Sequence, residues 1–335
     1  MRVLFIGTKV QPDNMEYHIV NTLEKMGHKV FGFDIKTIIN CNESIDKYFN
    51  FFARTILREP ERILEKKLAN YAKKISPDIV IVLLGNMVSP KTIVLLKKHL
   101  DVPIVCWCQD ALSTIGRQYM MGAPYDAVFL KDHYMVDLYN NMIGDRFIYL
   151  AEACNPSMHY YELPKGKDLK HYECDITTAG SLYYYRQEIL KPLAAHYKLK
   201  VWGSMPDWLS YELRVRHTKE YVTGKTKRFA FSAAKIVLNT MHFAEIDGLN
   251  CRFFEILGCG GFQLVSDKSE VHKYLEVGKE VETFRDKNEL IEKVDYYLKE
   301  PEKRKKIAMQ GMQRAHNNHT YTHRLNELFE VTSKL

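Results

Sequence analysis

An α/β protein of two Rossmann-like domains facing a cleft, with a C-terminal crossover helix, is the fold class that this sequence predicts. Three observations carry it. Apolar runs of strand length alternate with amphipathic stretches of helical period, which is the pattern of a parallel sheet with right-handed crossovers. The alternation stops in a polar segment with two prolines, NPSMHYYELPKGKDLKHY, at 155–172, and then restarts. The chain is 335 residues long, beyond the usual size of a single-core domain. The expected division is an N-terminal acceptor-side domain over 1–155, a nucleotide-binding domain over 170–310, and a helical tail over 311–335 packing back on the first.

In order along the chain, RVLFI (2–6) is a continuous apolar run, as a strand buried on both faces requires. A helix is predicted from Asn14 to Met26, stopped by Gly27, and HKVFGFD is the second strand. A helix over Glu61–Lys74 precedes PDIVIVLLG, another strand. Ser89 then caps and Pro90 opens a helix over SPKTIVLLKKHL. VPIVCWCQD, YDAVFLKD and RFIYLAEA supply three more strands. Beyond the linker, ECDITTAG, KLKVWG, KIVLN, GGFQLVSD and KEVETF read as strands with helices between them, and the chain from Asn288 is helical almost to its end.

Composition is that of a globular protein, 46% hydrophobic and 27% charged. The longest apolar run, Ile79 to Leu84, is too short to span a bilayer, and the N-terminus reads as a strand rather than a signal peptide. A cytoplasmic location, peripheral at a membrane at most, is the expectation. The seven cysteines (Cys41, Cys106, Cys108, Cys154, Cys174, Cys251 and Cys259) form no CxxC pair and suggest buried thiols. A net charge of +7 suits a phosphate-bearing ligand, an anionic membrane or a nucleic acid, without choosing among them.

The chemistry concentrates in DGLNCRFFEILGCGGFQLVSD, residues 247–267. Asn250 is placed to cap a helix that starts at Cys251 and ends in Gly258, Gly260 and Gly261. Arg252 and Glu255 share one helical face near its positive end. A helix N-terminus flanked by Asn and Arg suits a diphosphate, and a carboxylate one turn on can accept two ribose hydroxyls. A capped amphipathic helix with an exposed Arg–Glu pair is the competing reading of the same spacing.

The same segment, with VGKEVETFRDKNELIEKVDYYL and HTYTHR downstream and LAEACNPSMHYY, DITTAGSLYYYRQEIL and VWG upstream, resembles the CgeB-like (spore maturation protein) glycosyltransferases. The likeness is strong over 150–330 and looser before it. It implies the GT-B fold and a nucleoside-diphosphate-sugar donor, UDP-sugar foremost, with retention of configuration. It also implies two acidic residues eight apart, the second on the ribose. Asp247 and Glu255 have that spacing, although Glu is more usual at the first position. By the same resemblance Gly180, Ser181 and Arg186 face the donor phosphates at the first strand-to-helix turn of the second domain. Trp202 and Gly203 frame the base, and Lys235 is a weaker phosphate candidate.

In the N-terminal half, Gly7 and Thr8 end the first strand without a G-x-G-x-x-G fingerprint. Asp110 ends a strand at its carboxyl side and is the catalytic candidate, orienting an acceptor hydroxyl or stabilising charge on the sugar ring. A loop or helix-capping aspartate is the alternative. Asp13, His18, Asp132 and His133 are lesser cleft candidates. No Asp-x-Asp occurs, so no metal and no cofactor beyond the donor substrate is expected. His316, His319 and His323 share a helical face but lie in a polar, solvated segment. The acceptor stays open among glycan, lipid-linked, protein, small-molecule and modified-base classes. A DNA-base glycosyltransferase, a nucleotide-sugar epimerase and a catalytically inactive nucleotide-sugar-binding protein are the competing functions.

Overall fold

The structure, a computed structural model, describes residues 1–35, 59–83, 87–111 and 121–335; Cys41, Leu84 and Gly85 lie outside them. The described chain forms two compact units, Met1–Ala151 with Arg324–Leu335, and Glu152–His323. Each holds one all-parallel sheet with helices on it, an α/β architecture built twice.

The first unit runs β1 (Arg2–Gly7), α1 (Met15–Lys25), β2 (Lys29–Asp34), α2 (Glu59–Ile75), β3 (Ile79–Val82), α3 (Pro90–His99), β4 (Ile104–Cys108), β5 (Ala127–Leu130), α4 (His133–Ile143) and β6 (Phe147–Tyr149). Its strand order is β2-β1-β3-β4-β5-β6. β3, β4 and β5 are buried at every residue and read as fully apolar runs, while the edge strand β2, exposed or half-buried throughout, carries Lys29 and Asp34. Leu4, Ile6, Val80, Val82, Ile104 and Val128 form the centre of the core. The helix starts follow the chain's own capping chemistry. The Asn14 side chain accepts from the Tyr17 amide and Ser89 from the Thr92 amide, ahead of Pro90, each cap contributing about 1 kcal/mol. Among the C-terminal residues of this unit, Phe329 meets His28, the residue before β2, edge-on at 5.1 Å.

The second unit runs α5 (Gly166–Tyr172), β7 (Cys174–Ala179), α6 (Tyr184–His196), β8 (Leu199–Trp202), α7 (Tyr211–Arg214), α8 (Gly224–Ser232), β9 (Ala234–Asn239), α9 (Cys251–Gly258), β10 (Gln263–Ser266), α10 (Ser269–Tyr274), β11 (Glu282–Phe284), α11 (Lys287–Lys299), α12 (Pro301–Asn318) and the start of α13 (Tyr321–Thr332). α5 lies inside the segment read from sequence as an unstructured linker. Its seven residues open on Gly166 at φ +57° with no side-chain cap, so neither periodicity nor a capping residue announces it. The strand order is β11-β10-β9-β7-β8.

In both sheets the first strand therefore lies between the second and the third. Crossovers leave it in opposite directions, and the loops at the carboxyl ends of the first and third strands diverge into a crevice, the ligand position of doubly wound sheets. In the first unit those ends are Gly7 and Val82; in the second they are Ala179–Gly180 and Asn239–Thr240.

In the first unit the crevice is occupied from within. Glu16, buried in the first turn of α1, accepts hydrogen bonds from the Thr8 hydroxyl and amide, and its side chain packs against Gly7.

Candidate active site

The crevice of the second unit is built by three devices. The first is close backbone approach. Gly180 and Gly203 both take positive φ (+112° and +124°), and a Cβ on Gly203 would sit 2.6 Å from the Gly180 carbonyl oxygen. Only glycine allows the ends of β7 and β8 to meet this way. The Gly180 amide donates to the Trp202 carbonyl at 3.0 Å, closing the contact.

The second device is a buried brace. Arg186, on α6, donates to the Ser181 carbonyl (2.6 Å), the Thr240 carbonyl (2.8 Å) and the Tyr185 hydroxyl (3.1 Å). It thus ties together the two lips of the crevice. Burial, and next the neighbouring Arg252 cation, hold its guanidinium below the ordinary range. Arg186 was expected to face the phosphates; its donors are instead engaged with backbone carbonyls, and it shapes the crevice.

The third is α9 with its cap. Asn250 accepts from the Phe253 amide at 3.0 Å. The Asn250 and Asn239 side-chain amides bond each other at 3.1 Å, Asn239 reaches Gln263 at 3.0 Å, and Gln263 donates to the Phe253 carbonyl. This network pins the helix start to the ends of β9 and β10. The amides of Cys251 and Arg252 then head the helix, where the dipole favours an anion. The Arg252 guanidinium lies directly over Gly180, so that a Cβ there would collide with it. Among the described residues no carboxylate pairs with Arg252. An uncommitted arginine, a helix N-terminus and a glycine that admits close approach together form a receptor for a phosphate group.

Glu255 lies one turn further and is buried. Lys227 of α8 reaches its Oε1 at 2.9 Å, and His159 Nε2 is 3.9 Å from the same atom. The His159 Nδ1 accepts the Asn155 amide at 3.1 Å, which leaves Nε2 as the protonated nitrogen facing the carboxylate. Arg252 and Glu255 therefore do not form the exposed pair that their spacing also allows. Lys227 and His159 were missed from sequence. No motif marks either, since one sits in a basic helical run and the other in the linker.

The remaining candidates divide clearly. Ser181 lies at the crevice lip, its carbonyl held by Arg186. Asp247 is half-buried and accepts from the Ser269 hydroxyl at 2.9 Å. Trp202 was expected to frame a base. It is fully buried, stacks on Tyr172 at 5.3 Å and donates its indole N–H to Thr177, so it is a core residue. Lys235 stands at the start of β9, the end away from the crevice, and pairs with Asp175 at 2.7 Å. In the first unit Asp110 is exposed beyond the carboxyl end of β4. Asp13 and His18 pair with each other at 3.3 Å, Asp132 caps α4, and His133 stacks on Tyr149 at 3.6 Å. The three tail histidines have separate partners: His316 faces the His159 and Gly258 carbonyls, His323 the Thr320 hydroxyl, and His319 the rings of Phe254 and Tyr274.

Residues 186–330, which include most of α6 and all of α9, match the family model described as glycosyl transferase-like. The chain is a glycosyltransferase. Its fold agrees. The enzyme is similar to sucrose-phosphate synthase from Thermosynechococcus elongatus with a TM-score of 0.72 at 12% identity, over 99% of this chain and 98% of that one. It is similar to Anabaena HepE in complex with UDP and glucose with a TM-score of 0.69 at 12% identity, over 100% of both chains. A glycosyltransferase from Rickettsia africae gives 0.66 at 12% identity, over 99% of this chain and 98% of that one. These likenesses are of fold, and the fold is GT-B. A comparison with curated proteins gives no significant match. Among the described residues no helix of the glycosyltransferase is long and apolar enough to cross a membrane.

Proposed function

We propose that this glycosyltransferase uses a nucleoside-diphosphate sugar, with UDP-sugar the first choice, and that the diphosphate sits on Arg252 and the start of α9. The observation that carries the reading is the Arg252 guanidinium poised over Gly180 without a carboxylate partner among the described residues. The structurally similar HepE was solved with UDP and glucose, which supports uridine as the base. Glu255, held on one oxygen by Lys227, presents its carboxylate toward the ribose hydroxyls. Arg252 and the helix dipole neutralise the leaving diphosphate as the glycosidic bond breaks, which is the charge-stabilising role a divalent ion would otherwise fill. Transfer on this reading is metal-independent and retaining. Asp110 is the catalytic candidate, orienting the acceptor or stabilising the sugar cation, and Asp247 adjoins the sugar. The acceptor is a glycan, as argued next.

Incubation with UDP-glucose, UDP-galactose and UDP-N-acetylglucosamine tests this. Slow release of free sugar and UDP, unchanged by EDTA, is the expected result. An isomeric nucleotide sugar would make the protein an epimerase, and loss of release in EDTA with recovery on Mn²⁺ would overturn the metal-independent mechanism.

A further inference from the structure

The second unit has a pocket of about 410 Å³ at the carboxyl ends of β9, β10 and β11, lined on one side by Ile189, Met241, Phe243 and Phe284 and on the other by Asp267, Arg285, Asp286 and Lys287. Phe243 is 74% exposed, yet it is not loose. Its ring rests on Tyr185 at 3.9 Å, and the Tyr185 hydroxyl donates to the Met241 carbonyl at 2.7 Å. The facing polar groups are positioned but not used up. Asp267 Oδ1 holds His272, Asp286 Oδ1 caps α11, and Arg285 Nε bonds Glu289. The outer carboxylate oxygens, the terminal guanidinium nitrogens and the Lys287 ammonium make no hydrogen bond among the described residues, although Arg285 lies in the field of Asp267 and Asp286, and Lys287 in that of Glu188.

Exposed rings continue from Phe243 along the same edge of the sheet. Tyr184 follows β7 and packs with Trp208 at 5.5 Å, and Tyr211 and Tyr221 follow β8, at 76% and 72% exposure. Rings left this open cost solvation free energy unless something covers them. In the chain a carboxylate residue neighbours each of three of them: Asp207 precedes Trp208, Glu212 follows Tyr211, and Glu220, paired with His171, precedes Tyr221. That interleaving decides the chemistry. Single-stranded nucleic acid also stacks on rings, but it needs a surface of one positive sign. A neutral pyranose presents an apolar C–H face to a ring and hydroxyls, each both donor and acceptor, to a rim of mixed charge.

We propose that the Phe243 pocket and the aromatic edge leading from it bind a neutral oligosaccharide, and that this glycan is the acceptor. The proposal rests on the glycosyl-transfer reading above and deepens it by naming the acceptor class. One ring stacks on Phe243 over Tyr185, and its hydroxyls bond the outer atoms of Asp267, Arg285 and Asp286. The chain of the glycan continues over Tyr184 and Trp208.

Ligand-observed saturation-transfer NMR on the full chain tests it, with di- and trisaccharides of glucose, galactose, mannose and N-acetylglucosamine as probes. The expected result is saturation of the C–H protons of at least one probe, retained at saturating UDP. Phe243→Ala should reduce that signal at least fivefold, Phe243→Tyr should retain it, and UDP affinity measured in parallel should stay within twofold for both. Absence of signal from every probe, displacement by UDP, or full signal in Phe243→Ala would overturn the assignment. So would tighter capture of a ten-nucleotide single strand than of any glycan. UDP binding without a glycan signal sinks this proposal alone, whereas loss of UDP binding in the parent protein sinks the donor reading.

Discussion

Replacing Arg252 with alanine separates a phosphate receptor from a structural arginine. The guanidinium has no carboxylate partner among the described residues, so its removal leaves no buried anion behind, and folding stability should change by less than about 0.5 kcal/mol, as for surface sites. Hydrogen bonds to charged groups contribute about 1.5–3 kcal/mol each. At 1.4 kcal/mol per tenfold, one such contact corresponds to roughly a 10- to 150-fold loss of UDP affinity. Uridine, lacking phosphate, should bind the variant within twofold of the parent. Arg252→Lys should recover part of the loss, since an ammonium keeps the charge without the planar fork. Isothermal titration calorimetry with UDP, UMP and uridine gives all of these numbers. Equal weakening of UDP and uridine, or UDP binding that ignores the substitution, would remove the diphosphate from Arg252 and refute the argument built on Gly180 and α9.

Glu255→Ala should cost roughly 2–4 kcal/mol of donor binding and, by leaving Lys227 buried without its carboxylate, about 3–5 kcal/mol of stability. Glu255→Gln should lose less of both. A Lys227→Met/Glu255→Leu pair should regain stability in urea melts while still failing to bind UDP; recovery of binding would make the pair purely structural. Gly203→Ala places a Cβ against the Gly180 carbonyl at φ +124° and should destabilise the protein by about 2–5 kcal/mol, and a loss below 1 kcal/mol by denaturant titration would contradict the close approach. Asp110→Asn should lower turnover with donor affinity unchanged, which steady-state kinetics beside calorimetry will show; a parallel fall in UDP affinity argues against its acceptor-side role.

The parts of the fold that sequence conveys are those where local chemistry and long-range packing agree. β3, β4 and β5 are apolar at every residue because both faces are covered. Asn14, Ser89 and Asn250 cap the helices that their positions predict. Arg252 at the head of α9 was legible for the same reason, since a cap and a helix start fix where its side chain begins. Arg186 and Trp202 were not legible in the same way. Arg186 lies in the first turn of α6 and Trp202 is the last residue of β8, but whether a side chain there turns outward or inward depends on partners distant in sequence: Thr240 for one, Thr177 and Tyr172 for the other. Lys227 and His159 illustrate the same limit from the opposite side. Their importance comes from Glu255, 28 and 96 residues away, and nothing in their neighbourhood carries a trace of it.

The carboxylate of Glu16 against Gly7 and Thr8 acquires a meaning when the two sheets are compared. The first five strands of each sheet share one order, second-first-third-fourth-fifth, and the first sheet adds a sixth at its edge. Each sheet has a gap between its first and third strand with a glycine at its rim. In one, an arginine waits there for an anion from outside. In the other, the chain supplies its own anion, a permanent internal plug that mimics the ligand and denies it entry. Glu16→Gly would open the rim of the first sheet beside Gly7 and Thr8.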